Sequence, residues 1–327
     1  MTMLKRLLRC AALGALVLSA VAPGPGVAQT WPDQPIRLVV PFPAGGTADN
    51  TARLVADKLR EALHQPIVVE NKPGGTSSLG ADLVAHSKPD GYTLLLGPNA
   101  AFSVLPHLRK LPYDPVQSFE PVAMVAQYLA TITVRNDLPI KTYAELVAYA
   151  RANPGKLNYA SQGPGSTSHL TGVMFIQQAG AEMVHVPYRG TGPALADILA
   201  GNVDLFFDNL GSSMPMHRGG KAKVLAVATP ERSKLLPEVP TLREAGLRDF
   251  SSSTWFAIMA PPGTPAAIAD QVNKAVNDVL AMPDIQAQFE TLGVQPRIVT
   301  PPELATFIAG EAQRWADVAR AAKIEKE

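Results

Sequence analysis

Residues 36–63, IRLVVPFPAGGTADNTARLVADKLREAL, decide the fold. The segment opens with an apolar run from Ile36 to Pro41 that only Arg37 interrupts, turns through small residues, and enters a helix that begins near Thr47. Apolar residues recur at helical spacing in that helix, which predicts one buried face: Ala48, Ala52, Val55, Ala56, Leu59, Ala62 and Leu63. Because the first run is apolar at successive positions, it is typical of a parallel strand covered on both faces.

The same alternation continues along the chain and predicts an α/β protein. In the first half it gives strands over 67–69 and 93–96 and a helix over 79–85. It restarts after Asp137, where Thr142 and Glu145 form a capping box for a helix that stops at Asn153. Further strands are expected over 157–160, 184–186, 203–207 and 224–228, with helices over 168–178 and 193–200. We interpret this half as a second α/β unit that does not extend the first sheet.

The end of the chain has a different pattern. A strand over 255–259 precedes a helix whose N-cap and first turn suit Thr264 and Pro265 and which reaches about Leu280. Thr300 and Glu303 form another capping box for a last helix, with one apolar face: Leu304, Phe307, Ile308, Trp315 and Val318. The last helices are expected to pack back on the first unit.

Two extended segments, 122–135 and 251–260, lie where the pattern changes, and they predict two lobes joined by a hinge. Lobe I comprises residues 29–127 and 252–327, and lobe II comprises residues 128–251. The alternative is one continuous sheet in a large doubly wound domain.

Residues 1–28 have the features of a cleaved signal peptide. Lys5, Arg6 and Arg9 precede a short apolar run, and small residues end at Ala28. The run is too short for a membrane anchor, and prolines interrupt it. Cleavage removes three of 29 basic residues and none of the 28 acidic ones, which leaves a net charge of −2 and no basic surface for nucleic acid. Cys10 is the only cysteine and would be removed, so export to a bacterial periplasm without disulfides is expected.

Four small-residue loops follow predicted strands, at residues 41–49, 97–100, 161–169 and 188–194. Ligands of open α/β sheets bind at the carboxyl ends of the strands, where helix N-termini present free amides to anions. Each loop alone is equally consistent with an ordinary strand-to-helix turn. Their recurrence in both halves predicts a shared cleft for a carboxylate or phosphate.

Enzyme, cofactor and metal motifs are absent from the sequence. It contains no Gly-x-Ser-x-Gly elbow, no P-loop and no His-Glu-x-x-His, and the six histidines are scattered. We therefore expect no cofactor, no metal and no catalysis. A hydrolase using Ser166 and His169 is the enzymatic alternative. Asp208 and Asn209 could contact an amine or hydroxyl of a ligand or simply cap a loop.

Taken in order, these motifs resemble the tripartite tricarboxylate transporter receptors, also called Bug receptors. The resemblance covers residues 31–327 and rests on PFPAGGTAD (41–49), VENKPGG (69–75), KPDGY (88–92), SQGPGS (161–166), HVPYRG (185–190), GNVD (201–204) and APPGTP (260–265). It implies a type II-like periplasmic binding protein with a hinged interdomain cleft, a small organic carboxylate as ligand, and integral-membrane transporter subunits as partners. A monomer is expected, and a sensor that presents its ligand to a signalling partner is the alternative.

The resemblance assigns carboxylate binding to backbone amides and hydroxyls of the loops. Arg189, the one permanent cation beside a loop, could grip a second carboxylate or face solvent. Asp49 could contact the ligand or serve as a first-turn acid, and Asn99, Phe102, Asp208 and Asn209 are candidates for the far end of the ligand. The full set of predicted ligand-binding residues is Phe42, Ala44, Gly45, Gly46, Thr47, Asp49, Asn99, Ser161, Gly165, Ser166, Thr167, His169, Tyr188, Gly190, Thr191, Pro193, Ala194 and Asp208.

Overall fold

The computed structural model describes residues 31–228, 231–247 and 252–321. The strands are β1 (Ile36–Val40), β2 (Ile67–Asn71), β3 (Thr93–Pro98), β4 (Glu120–Arg135), β5 (Asn158–Ser161), β6 (Val184–Pro187), β7 (Leu205–Asn209), β8 (Ala222–Val227), β9 (Ser253–Ala260) and β10 (Val294–Gln295). The helices are α1 (Thr47–Leu63), α2 (Ser78–Ala85), α3 (Leu105–Leu108), α4 (Tyr143–Ala152), α5 (Thr167–Ala179), α6 (Thr191–Ala200), α7 (Leu210–Arg218), α8 (Ala266–Leu280), α9 (Pro283–Thr291) and α10 (Pro301–Ala321).

Every strand and helix predicted from the sequence is present. The capping box at α10 forms in full, whereas at α4 the Glu145 carboxylate bonds to the amide one residue before the N-cap. At α4 the Glu145 amide donates to Thr142 Oγ1 at 3.2 Å, while the Glu145 carboxylate accepts from the Lys141 amide. At α10 the Thr300 amide donates to the Glu303 carboxylate at 2.8 Å, and the Glu303 amide donates to Thr300 Oγ1 at 3.4 Å. These reciprocal bonds satisfy amides that a helix start leaves without partners.

Two details of the predicted elements are wrong. Thr264 does not cap α8, because its hydroxyl donates to the Pro261 carbonyl and Pro265 holds the N-cap position. Helices α7 and α9 were not predicted. Helix α7 contains Gly211 and Pro215, which are typical of a loop.

Strand β4 connects the strands of both halves into one hydrogen-bonded sheet with the order β2-β1-β3-β9-β4-β7-β5-β6. Its first part, Glu120 to Leu129, pairs antiparallel with β9. Its last part, Ala130 to Arg135, pairs antiparallel with β7 and β8. The expectation that the second unit would not extend the first sheet is therefore wrong, because a strand of 16 residues is long enough to take different partners along its length. Both extended segments proposed as crossings, 122–135 and 251–260, correspond to strands.

The apolar core consists of several clusters. One lies in the first half and contains Val39, Phe102 and Trp255. Another is centred on Tyr143, Phe175 and Phe207 of the second half and also includes Val104 and Leu108 of the first. Phe102 packs against Phe119 and Trp255, so this candidate for the far end of a ligand is a core residue.

Helix α10 contributes to both of these clusters. Leu304 and Ile308 join the first cluster, whereas Trp315 joins the second, and α10 contacts α5. The last helices were expected to pack back on the first unit, and α10 in addition reaches the second cluster, because its 21 residues are long enough to contact both.

The proposed signal peptide and Cys10 lie outside the described residues. The described part of the chain begins at Trp31. Across the described ranges, every helix is too short or too polar to span a bilayer.

Candidate functional site

All four predicted loops lie at the carboxyl ends of strands. Strands β1, β2 and β3 are mutually parallel, as are β5, β6 and β7, so the loops of each half emerge at one edge of their part of the sheet. This arrangement is the usual one for ligand sites in open α/β folds.

Loops from the two halves are in direct contact. The Thr167 hydroxyl donates to the Asn99 side-chain oxygen at 3.0 Å, and both residues are buried. The Thr76 hydroxyl donates to the Pro164 carbonyl at 3.2 Å. A Cβ built on Gly165 would lie about 3 Å from the side chains of Leu105 and Leu108, with the two distances being 3.0 and 3.1 Å. The loops therefore face one another across the junction of the halves.

The loop after β1 is braced by Asp49, whose carboxylate is buried. Its Oδ2 accepts from the Gly45 amide at 2.9 Å and from Arg53 Nε at 3.0 Å, and its Oδ1 accepts from Asn71 Nδ2 at 2.9 Å. Burial alone would raise the pKa of Asp49, but these hydrogen bonds and the Arg53 charge outweigh it, and the pKa lies below its usual value. Both carboxylate oxygens are thus engaged by the protein, which favours the first-turn role over a ligand contact.

The same loop leaves the start of α1 without a side-chain cap. Gly46 is the N-cap, with φ −82° and ψ 173°, and it carries no capping side chain. Ala44 to Gly46 are exposed, and Phe42 and Thr47 are half-buried. Phe42 packs edge-to-face on Phe256 with ring centroids 5.8 Å apart, which holds the exit from β1 against the crossing strand β9.

In the loop after β5 most hydroxyls maintain the shape of the loop. Ser166 caps α5 by accepting from the His169 amide at 3.2 Å, and it donates to the Gly163 carbonyl at 2.6 Å. Ser168 accepts from the Gln162 amide at 2.8 Å. These bonds preorganise the loop before any ligand arrives.

Two stacked histidines lie beside this loop. The rings of His169 and His185 are 4.2 Å apart, and Tyr159 stacks on the other side of His185 at 5.0 Å. Burial lowers the pKa of His169, and burial together with the nearby His169 lowers the pKa of His185 to about 4. The Gly165 amide donates to His169 Nδ1 at 3.2 Å, which requires that nitrogen to be unprotonated. Both rings are therefore neutral at physiological pH.

The loop after β6 is tied to the loop after β5. Gln162 Nε2 donates to Thr191 Oγ1 at 2.8 Å, and the Tyr188 amide donates to the Ser161 carbonyl at 3.0 Å. The Tyr188 hydroxyl donates to Asp197 at 2.7 Å, and burial followed by this bond raises the pKa of Tyr188 to about 12. Tyr188 thus serves as a neutral donor within the loop at all physiological pH values.

Helix α6, which follows this loop, also begins without a side-chain cap. Its N-cap, Gly190, has φ +117°, a conformation that side chains rarely adopt. Arg189 and Pro193 are exposed, and Ala194 is buried in the cluster that contains Ile198 and Phe206. Ala194 therefore supplies packing through its side chain and can offer a ligand only its backbone.

Asp208 ends β7 and is 1% exposed. Its Oδ2 accepts from the Ser212 hydroxyl at 2.6 Å and the Ser213 hydroxyl at 2.9 Å. Burial raises the pKa of Asp208 to about 6, although the Ser212 and Ser213 hydroxyls and the Asn209 amide act in the opposite direction. The carboxylate is therefore costly to keep charged in the folded protein.

Asp208→Asn is expected to stabilise the ligand-free protein at pH 7.5 but not at pH 4. The folded pKa of Asp208, about 6, lies above its unfolded value of 3.8, so the folded state binds the extra proton and its stability falls as pH rises between these values. Over that pH range, keeping the Asp208 carboxylate ionised lowers the free energy of unfolding by at most about 3 kcal/mol. Urea unfolding of both proteins at the two pH values measures the difference, and a difference that is unchanged between pH 4 and pH 7.5 would contradict this assignment.

The profile of the tripartite tricarboxylate transporter family receptor matches residues 51–324 of the chain. The chain belongs to this family. The resemblance predicted from the ordered loop motifs is therefore confirmed.

Solved structures agree with this membership. The periplasmic binding protein BugD is 36% identical to this receptor, and the alignment covers 91% of this chain and 100% of BugD with a TM-score of 0.84. A Rhodopseudomonas palustris protein solved with adipate is 35% identical, with 91% and 100% coverage and a TM-score of 0.86. MatC from the same species, solved with bound malate, is 35% identical, with 88% and 99% coverage and a TM-score of 0.82. The receptor is a periplasmic solute-binding protein, and the predicted fold class is confirmed.

The geometry of the receptor offers little support for hydrolysis by Ser166 and His169. The Ser166 hydroxyl bonds to the His169 amide, while the His169 ring accepts from Gly165, so the two side chains do not form a nucleophile–base pair. Within the described ranges, no group of three or more histidine, cysteine or acidic side chains could hold a metal ion. The family and fold are those of binding receptors.

The sequence did not predict one polar contact of the receptor, which joins strands β5 and β6 beside the loops that follow them. Ser161 Oγ lies 2.7 Å from His185 Nε2, and it also accepts from the Gly163 amide at 3.0 Å. The two residues are 24 positions apart and belong to neighbouring parallel strands, with Tyr159 opposite His185. Only the register of β5 and β6 brings them together, and no local motif signals it.

Proposed function

We propose that the receptor captures a small organic carboxylate in the periplasm and delivers it to integral-membrane transporter subunits. Residues 29–127 with 252–327 form one lobe in this proposal, and residues 128–251 form the other. Residues 1–28 are removed on export, and the mature receptor acts as a monomer.

The observation that carries the proposal is a pair of helix N-termini without side-chain caps, one from each half. Helices α1 and α6 both begin at a glycine, Gly46 and Gly190, so no side chain covers their first amides. Helices α4 and α5 are capped by Thr142 and Ser166, and the other uncapped helices, α2, α3, α7, α8 and α9, begin at residues that carry side chains. An uncapped helix start presents free amides and the positive end of the helix dipole. Such a start is suited to an anion, and a carboxylate could accept hydrogen bonds from both.

Neutral donors dominate the surroundings of these helix starts. Thr47 is half-buried beside Gly46, and Thr191 accepts a bond from Gln162, so its own hydroxyl proton can be donated to a ligand. Arg189 is exposed, which favours the solvent-facing alternative. A bidentate arginine clamp would bind more strongly. Amides and hydroxyls that engage only when the lobes close allow the ligand to be released when they open.

The remaining predicted site residues fall into two roles within this proposal. Contacts to the ligand through amides or hydroxyls are assigned to Phe42, Ala44, Gly46, Thr47, Gly190, Thr191 and Ala194, and Pro193, which has no amide proton, is assigned a packing contact. Shaping of the loops is assigned to Gly45, Asp49, Asn99, Ser161, Gly165, Ser166, Thr167, His169 and Tyr188, since their polar groups bond within the protein.

The ligands of two similar structures favour the same class of molecule. The proteins solved with adipate and with malate bind small acids that carry two carboxylates. We infer that this receptor takes a ligand of the same size and charge class.

A thermal-shift screen of residues 29–327, stripped of bound ligand by unfolding and refolding, tests the proposal. Succinate, malate, adipate and benzoate serve as probes, and succinamide serves as an uncharged control for succinate. A carboxylate present at 100 times its Kd should stabilise the receptor by about 2.7 kcal/mol and raise Tm by several degrees. A folded receptor whose Tm is unchanged by every carboxylate, or raised equally by succinamide, would overturn the proposal.

A further inference from the structure

Asp208 differs from the other buried acids among the described residues. Asp49 has both oxygens engaged, as described above. Asp204 accepts from Arg135 Nε at 3.0 Å on one oxygen and from the Asn158 amide at 2.9 Å on the other. Both hydroxyls that donate to Asp208 bond to Oδ2, and within the described part of the chain Oδ1 has no hydrogen-bond partner.

An unpaired carboxylate oxygen in the protein interior is energetically costly, because it has lost water without gaining a replacement donor. The side chains that hydrogen-bond to Asp208 carry hydroxyl groups, and these already donate their protons within the protein. Thr133 donates to Ser213 at 2.8 Å, and Ser213 donates to Asp208 Oδ2. Across the described ranges no lysine, arginine or histidine forms an ion pair with Asp208, whereas Asp49 and Asp204 each have an arginine.

Asp208 lies beside the loops that carry the proposed site. Ala160 of β5 pairs with Phe206 of β7, so two residues further along these parallel strands Gln162 and Asp208 are neighbours. Gln162 is the residue that bonds to Thr191 at the start of α6. On the other side Asp208 pairs with Thr131 of β4, two residues past the end of its pairing with β9.

The segment after Asp208 lies at the junction of the two halves. Gly211 packs against the turn at Leu292 and Gly293, where a built Cβ would meet the Leu292 carbonyl oxygen at 1.7 Å. The unpaired oxygen thus belongs to a residue at the carboxyl end of a strand, next to a binding loop and close to the other half.

We propose that Asp208 Oδ1 accepts a hydrogen bond from a hydroxyl or ammonium group of the ligand, so that the receptor selects carboxylates that carry such a donor. This inference rests on the proposed function and narrows its ligand class. A donor on the ligand would supply the bond that the chain does not. A second carboxylate at the same place would be repelled, since Asp208, with a pKa of about 6, is largely ionised at pH 7.5.

Matched ligand pairs that differ by one donor test the proposal by calorimetry at pH 7.5. Malate (each enantiomer) and aspartate are compared with succinate, and mandelate is compared with phenylacetate in case the receptor prefers aromatic acids. A bond to a charged buried group predicts that the donor-bearing member binds at least about tenfold more tightly. In Asp208→Asn the affinities of the two ligands of a pair should differ by no more than about threefold. An amide nitrogen in the Oδ1 position cannot accept a hydrogen bond from the ligand.

The matched control is Asp204→Asn, which changes a buried acid whose oxygens are both engaged and should preserve the preference. If the unmodified receptor binds both members of a pair within twofold, or if its best ligands lack a donor, the inference is overturned while carboxylate binding stands. It is also overturned if Asp208→Asn weakens all ligands by the same factor. Absence of binding by every acid tested would instead refute the proposed function.

Discussion

Replacing Gly46 with valine is expected to weaken carboxylate binding at least about 100-fold while the receptor stays folded. A Cβ at this position meets only the Pro43 carbonyl oxygen at 3.7 Å, and φ is −82°, so the backbone accepts a side chain. The two methyl groups of the valine side chain would cover the backbone amides at the start of α1. Two charge-assisted hydrogen bonds, each worth about 1.5–3 kcal/mol, would be lost.

Calorimetry with the best ligand from the screen measures this effect, and circular dichroism verifies folding. Gly310→Val is the matched control, because Gly310 lies in α10 with no atom within 4 Å of a built Cβ. Gly190→Val should also abolish binding, but it adds backbone strain at φ +117°. An affinity of Gly46→Val within threefold of the unmodified receptor would mean that the start of α1 does not hold the ligand.

Gly211→Ala is expected to destabilise the receptor by about 3 kcal/mol, at the upper end of the usual cost of overpacking. The new methyl group would lie 1.7 Å from the Leu292 carbonyl oxygen and 2.8 Å from its carbon, and both are backbone atoms. On the other side of this contact, a Cβ built on Gly293, with φ +64°, would lie 2.7 Å from the Gly211 amide nitrogen. The clash between the new methyl group and Leu292 can be avoided only if α7 moves away from the turn before β10.

Guanidinium chloride unfolding measures the change in the free energy of unfolding. Gly310→Ala serves as the control and should stabilise the receptor slightly, since alanine is a better helix former than glycine at an exposed position. A stability of Gly211→Ala within 0.5 kcal/mol of the unmodified receptor, roughly the usual effect of a surface change, would contradict the close contact.

The sequence predicts the helices and strands well where local chemistry determines them. Thr142 with Glu145 and Thr300 with Glu303 mark two helix starts, and the apolar run at Ile36–Val40 marks the first strand. Helix α7 was missed because its glycine, serines and proline favour a turn locally, whereas packing against β4 and β8 makes the segment helical. The joining of the strands into one sheet through β4 corresponds to the alternative rather than to the preferred interpretation, since strand pairing over long separations leaves no local signal.

For the candidate site, the sequence locates the loops but not the partners of their side chains. The loops after β1, β5 and β6 are recognised from small residues that follow apolar runs. The bonds between Thr167 and Asn99, 68 residues apart, and between Ser161 and His185 depend on tertiary packing. Asp208 was predicted as a contact to an amine or hydroxyl of the ligand, with loop capping as the alternative, but its unpaired oxygen became visible only with the surrounding structure.

The most direct test of this account is a crystal structure of residues 29–327 with the tightest-binding carboxylate from the screen. The account predicts that the bound acid lies between the loops of both halves, with its oxygens within hydrogen-bonding distance of amides at the starts of α1 and α6. A carboxylate bound elsewhere, or one that touches the loops of a single half, would contradict it.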